Sequence, residues 1–152
     1  MSLKHARAFA NAGGVLVATV WESFDLVKIA GGLTQAVTGP PKEPAKPNPC
    51  GPFGLADATL FDGLLKDANF AFTDDHNTVD RVEFILGTVH DENAFKMAAL
   101  PIWDMLDGLA KGEVPDAWKK AEEAFPKVVE PYLDGDGKIQ LVGTYRSVVV
   151  RK

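Results

Sequence analysis

Four side chains able to carry a proton or ligate a metal fall close together at Asp74, Asp75, His76 and Asp80. Carboxylates and imidazole bind divalent ions, so a metal centre is one chemistry this cluster offers. Acidic residues ahead of a helix also complement its dipole, and Asn77 with Asp80 three places on has the spacing of a cap. A metal would need further ligands from elsewhere. His90, followed by Asp91, Glu92 and Asn93, is the natural remote source. If 78–89 is helical, Glu83 and His90 share one flank of the apolar stripe but stand ~10.5 Å apart along the axis, too far to share an ion easily. General acid–base work by the pair would need a contact of about 3 Å.

A second acidic candidate is the segment Asp134-Gly135-Asp136-Gly137-Lys138-Ile139, which is similar to the centre of a calcium-binding EF loop. Asp134 and Asp136 then occupy ligand places, but the first and last places fall on Tyr132 and Gly143, which supply no carboxylate. A polar turn accounts for the same residues. The metal candidates are thus Asp74, Asp75, His76, Asp134 and Asp136, and the ligand-binding candidates are His76, Asp80, Glu83, His90 and Trp103. Trp103 earns its place because it falls about 80° off the neighbouring apolar stripe, where it can line a cavity or an interface.

Other chemistry is not signalled. Cys50 is the single cysteine, with no CxxC partner and no adjacent histidine, so it supports neither a zinc site nor an internal disulfide. No glycine-rich phosphate loop, nucleophile elbow or HExxH helix occurs, no catalytic residue is assigned and no cofactor is implied.

The elements that must position these residues centre on 77–112. Val79, Val82, Ile85, Leu86 and Val89 lie within one helical arc, and Phe95, Ala98, Ala99, Ile102, Leu106 and Leu109 occupy another. The spacing predicts two helices, the second kinked at Pro101 and closed by Gly112. A strand over 81–89 competes, because Val, Ile and Phe favour strands. Likewise 15–28 reads as a helix, loosened or ended at Gly31-Gly32, with a strand at 15–21 as the alternative. Residues 4–12 are rich in helix formers. Asp57 is placed to cap a helix whose apolar face is Leu60, Phe61, Leu64, Leu65 and Ala68. Trp118, Ala121, Phe125 and Val129 mark another, with Lys119 and Glu123 paired on its exposed side. Residues 38–54 hold six of the ten prolines and form a connector. The last stretch, from Lys138, is β-type, and Gly143-Thr144 is placed to turn a hairpin that packs on the helices, pairs with 69–73, or pairs with another chain.

These readings predict a mainly α fold, an irregular bundle of five or six helices with a C-terminal β-hairpin. The alternative is an α+β fold with strands at 15–21 and 81–89. One domain spanning 1–152 suits the length. The formal charge of −5 and the absence of Lys/Arg runs disfavour nucleic acid. The apolar run at 13–21 is too short to span a bilayer, so no membrane association and a soluble, cytoplasmic location are expected. The function expected is a non-enzymatic binding or assembly protein, with a protein partner or self-association through the C-terminal strands. Two alternatives stand beside it: a small metal-binding protein or enzyme using His76, His90 and nearby carboxylates, and a carrier of apolar small molecules.

Overall fold

The computed structural model describes residues 13–41 and 53–151, without the side chains of 73–76. In chain order the elements are β1 (Val15–Phe24), α1 (Asp25–Thr38), α2 (Ala58–Asp67), β2 (Ala71–Thr88), α3 (Glu92–Ala99), a 3-10 turn (Leu100–Ile102), α4 (Trp103–Ala110), α5 (Ala117–Val129), a second 3-10 turn (Glu130–Tyr132) and β3 (Lys138–Arg151). The strands form an antiparallel sheet in the order β1-β3-β2.

The fold is therefore α+β, and the mainly α bundle is overturned by this sheet. Both stretches assigned to helices on periodicity, 15–21 and 81–89, are strands, as the alternative has them, except that the second strand ends at Thr88. The β-branched residues that sit on a helical arc in projection are equally suited to a pleated ladder, and pairing with β3 decides between them. The helix expected from residue 15 starts instead at Asp25 and runs through Gly31-Gly32 to Thr38. The C-terminal hairpin is also corrected: β3 is one uninterrupted strand across Gly143-Thr144, and the left-handed glycine of a tight turn is Gly137, just before it. The helix expected at 4–12, and Cys50 with most of the proline-rich connector, lie outside the described residues.

Two compact units are distinguished along the chain. The first contains 13–23, 53–82 and 143–151. Its core is α2 against the strands, with Phe61 and Leu65 facing Val148, Val150, Leu16 and Val20. Asp57 caps α2 as its sequence implies, accepting from the backbone N–H of Thr59 at 2.8 Å and of Leu60 at 3.2 Å. Cross-strand pairs tie β1 to β3: Ser23 to Thr144 at 2.7 Å, Thr19 to Ser147 at 3.3 Å, and an edge-on Trp21–Tyr145 contact at 5.9 Å.

The second unit contains 24–41 and 83–142. Helices α1 and α3 to α5 bury Leu33, Phe95, Leu106, Phe125 and Val129 together with Ile139 and Leu141 of β3. Close approach of α1 to α5 requires glycine at 32, where an added Cβ would lie 2.8 Å from Val128 Cγ1. Asp25 anchors the start of α1 by accepting from the backbone N–H of Val142 at 2.9 Å and from Lys28 Nζ at 2.9 Å. Pro101 breaks the expected kinked helix into α3 and α4, joined by the 3-10 turn that contains it. Pro126, by contrast, is carried inside α5.

Candidate functional site

The sequence candidates do not form one constellation among the described residues, where no three His, Cys, Asp or Glu side chains gather as a metal set. The side chains of Asp74, Asp75 and His76 lie outside the described ones. Asp80 is exposed on β2. Glu83 Oε2 accepts from Gln140 Nε2 at 2.9 Å, a cross-strand bond within the second unit. Helical placement of Glu83 and His90 on one flank falls with the helix itself, since β2 carries Glu83 and His90 lies beyond its end at Thr88.

His90 lines a cavity of about 220 Å³ with Asp91, Glu92, Phe95, Glu122 and Phe125. Two of these carboxylates have local tasks. Asp91 caps α3 by accepting from the Asn93 N–H at 2.8 Å, and Glu92 pairs with Lys96 at 2.6 Å. Gly87 upstream adopts φ 125° and brings its backbone against Asp91, whose Oδ2 would stand 2.8 Å from an added Cβ. The polar joint is thus built as a strand-to-helix corner.

Asp134 is likewise occupied. Its Oδ1 accepts from the N–H of Asp136 at 2.9 Å and of Lys138 at 2.8 Å, closing the turn into β3. A carboxylate turned onto its own backbone is an Asx turn, and it explains the spacing that is similar to an EF loop.

Trp103 has the most developed surroundings of the candidates. It begins α4, is 39% exposed, and packs on Trp118 with ring centroids 4.5 Å apart. Trp118 is fixed in turn, donating from Nε1 to Asp107 Oδ1 at 2.9 Å and meeting Phe95 edge-on at 6.4 Å. Phe95 continues to the buried Phe125 at 5.5 Å. An aromatic series therefore runs from the surface into the core of the second unit, and the Trp103 ring packs at its outer end. Beside it an open hollow of about 570 Å³ is lined by Leu100, Pro101, Ile102, Trp103, Asp104 and Met105. Leu100 and Met97 are also exposed, at 59% and 50%. Pro101 makes this surface: the 3-10 turn it enforces displaces Leu100 and Ile102 from a continuous helical register.

One notable polar residue was not anticipated. Arg146, on β3 in the first unit, is 3% exposed. Its Nη1 donates to Asp62 Oδ1 at 3.2 Å, its Nε lies 3.7 Å from Glu22 Oε1, and its guanidinium stands over the Phe61 ring at 5.4 Å. Its sequence signal is parity: Arg146 shares the even phase of Val148 and Val150, which face the core. The buried Nε and Nη2 have no hydrogen-bond partner, and their closure from the surface marks a structural anchor rather than a binding site.

No protein-family model matches the chain, and no curated protein matches it in sequence. Among the described residues no helix is long and apolar enough to cross a membrane.

Proposed function

We propose that this chain is a non-enzymatic binding protein whose binding surface is the hollow at Leu100–Met105 and whose ligand presents an apolar group. The observation that carries this reading is Trp103, half-exposed yet clamped by Trp118 at the rim of an apolar hollow. Fixed aromatic side chains at a partly desolvated rim give large contact area at low ordering cost, which is why tryptophan is enriched among residues that dominate binding energy. Asp104 is the single charged residue of the lining among the described residues, so a neutral or cationic ligand suits it better than an anion. An apolar small molecule, the carrier reading, and an apolar side chain of a partner protein would use the same surface.

Self-association through the C-terminal strand finds less support than the hollow, since among the described residues β3 lies between β1 and β2.

Titration with Nile red, a neutral apolar dye, tests the reading. Saturable binding at one site that is lost in Trp103→Ala, with the circular dichroism spectrum unchanged, supports it. Absence of saturable binding to the native chain, or unchanged binding to Trp103→Ala, removes it.

A further inference from the structure

Strand β2 has one neighbour among the described residues, β3, and its other edge faces away from the sheet order β1-β3-β2. Residues 77–81 and 83–85 are all exposed, so both faces of this stretch are open. Two large aliphatic side chains are among them, Val79 at 60% and Ile85 at 58%. Between these two, on the same face of the strand by the two-residue alternation, stand Arg81 and Glu83. One face of the edge strand therefore reads Val, Arg, Glu, Ile.

We infer that β2 pairs antiparallel with β2 of a second copy of this chain, about a two-fold axis through Val82, so that Arg81 faces the second copy's Glu83 and Val79 faces its Ile85. The inference goes beyond the binding reading above and does not depend on the Trp103 hollow.

Symmetry and pleat restrict the register. A two-fold axis that relates adjacent antiparallel strands stands perpendicular to the sheet and keeps each side chain on its own face. Directly opposed residues must share a face, so the axis passes through a residue and never between two. Centring on Asp80, Arg81 or Glu83 sets a charge against its own copy, which is unfavourable. Centring on Phe84 opposes Glu83 to Ile85, and centring on Ile85 opposes Glu83 to Gly87 and Phe84 to Leu86. Neither gives a charged residue an opposite charge. Among centres from Asp80 to Ile85, Val82 alone sets Arg81 opposite Glu83 and the two exposed aliphatics opposite each other on one face, while on the other face Val82 meets its own copy and Asp80 meets Phe84.

The existing contact of Glu83 fits this row. Gln140 approaches Glu83 from β3, and the second copy's Arg81 would approach from the opposite edge. An edge strand left exposed with charges usually discourages pairing. Here Arg81 and Glu83, on one face, are of opposite sign and placed symmetrically about Val82, so that face favours the same strand reversed, while Asp80 on the other face meets the ring of Phe84. The result joins two three-stranded sheets edge to edge.

Sedimentation velocity across a concentration series, with charge reversal, tests this. The native chain is expected to sediment as a dimer, and Arg81→Glu or Glu83→Arg alone to raise the dimer Kd about tenfold or more, since each sets like charges opposite one another. The double reversal Arg81→Glu/Glu83→Arg restores opposite pairing and is expected to recover the dimer. Circular dichroism of each variant separates weakened pairing from failure to fold. Register is read independently in a Cys50→Ser background: Val82→Cys is expected to give a disulfide-linked dimer more readily than Arg81→Cys or Glu83→Cys. A native chain that stays monomeric, single reversals that leave Kd unchanged, or a double reversal no better than the singles overturns the pairing. Preferential crosslinking at 81 or 83 overturns the register.

Discussion

The Arg146 guanidinium donates to Asp62 Oδ1 at 3.2 Å while both its Nε and Nη2 are buried without a hydrogen-bond partner. A buried cation held this sparingly is a specific strain on the first unit, because desolvation of an ion is costly and only good hydrogen bonding offsets it. Asp62→Ala is expected to destabilise the chain by about 3 kcal/mol, since it leaves the charge buried beside Glu22 alone. Arg146→Met, which keeps the stem packed over Phe61 and removes the charge, is expected to be neutral or stabilising. Urea unfolding of the two variants distinguishes them, and equal losses would contradict the assignment.

Adjacent glycines of α1 make opposite predictions. Gly31 has open space where a Cβ would stand, so Gly31→Ala gains helix propensity and is expected to stabilise by up to ~1 kcal/mol. Gly32→Ala drives a methyl against Val128, whose β-branched side chain yields poorly, and a net loss of about 1 kcal/mol follows. A double-mutant cycle with Val128→Ala should show favourable coupling between the two sites; additivity would contradict close packing of α1 on α5.

Asp25 links helix to strand, and its removal should be felt at two places. Asp25→Ala strips the partly buried Val142 N–H of its acceptor, with an expected cost of about 1–3 kcal/mol. The hydrogen bond from Lys28 to Asp25, with the attraction of its charge, raises the Lys28 pKa above 10.5. A raised cation stabilises the fold below its ordinary pKa and loses that contribution as pH rises through the raised value, so this effect is confined to alkaline pH. NMR titration of Lys28 Nζ should show the value falling toward 10.5 in Asp25→Ala.

How much of this was readable depended on whether local residues or distant partners decide the structure. Helix α2 was legible because Asp57 supplies its own cap and Phe61 and Leu65 its own stripe. In α5, Ala121, Phe125 and Val129 face the core as their spacing implies. Pro101 announced an interruption, though its outcome is two helices rather than one bent helix. Residues 79–89 were misread because an arc of Val and Ile satisfies a helical projection, whereas pairing with a strand some sixty residues away, seen at Glu83 and Gln140, is what holds them. Within β3 the buried positions are odd at 139, 141 and 143 and even at 146, 148 and 150, so no single alternation runs its length. At the candidate sites, Asp91, Glu92 and Asp134 proved to serve their own caps, ion pair and turn. Trp103 was legible as an outlier from its stripe, but the Trp118 contact that fixes it depends on α5.

Binding at the Leu100–Met105 hollow is tested most directly by the tryptophan indole N–H resonances during a Nile red titration. The chain has three tryptophans, Trp21, Trp103 and Trp118, and each reports on its own surroundings. Selective, saturable shifts of Trp103 and its edge-on neighbour Trp118, with Trp21 unmoved, are the predicted result. Shifts led by Trp21, or none at Trp103 while dye binds, would contradict the assignment.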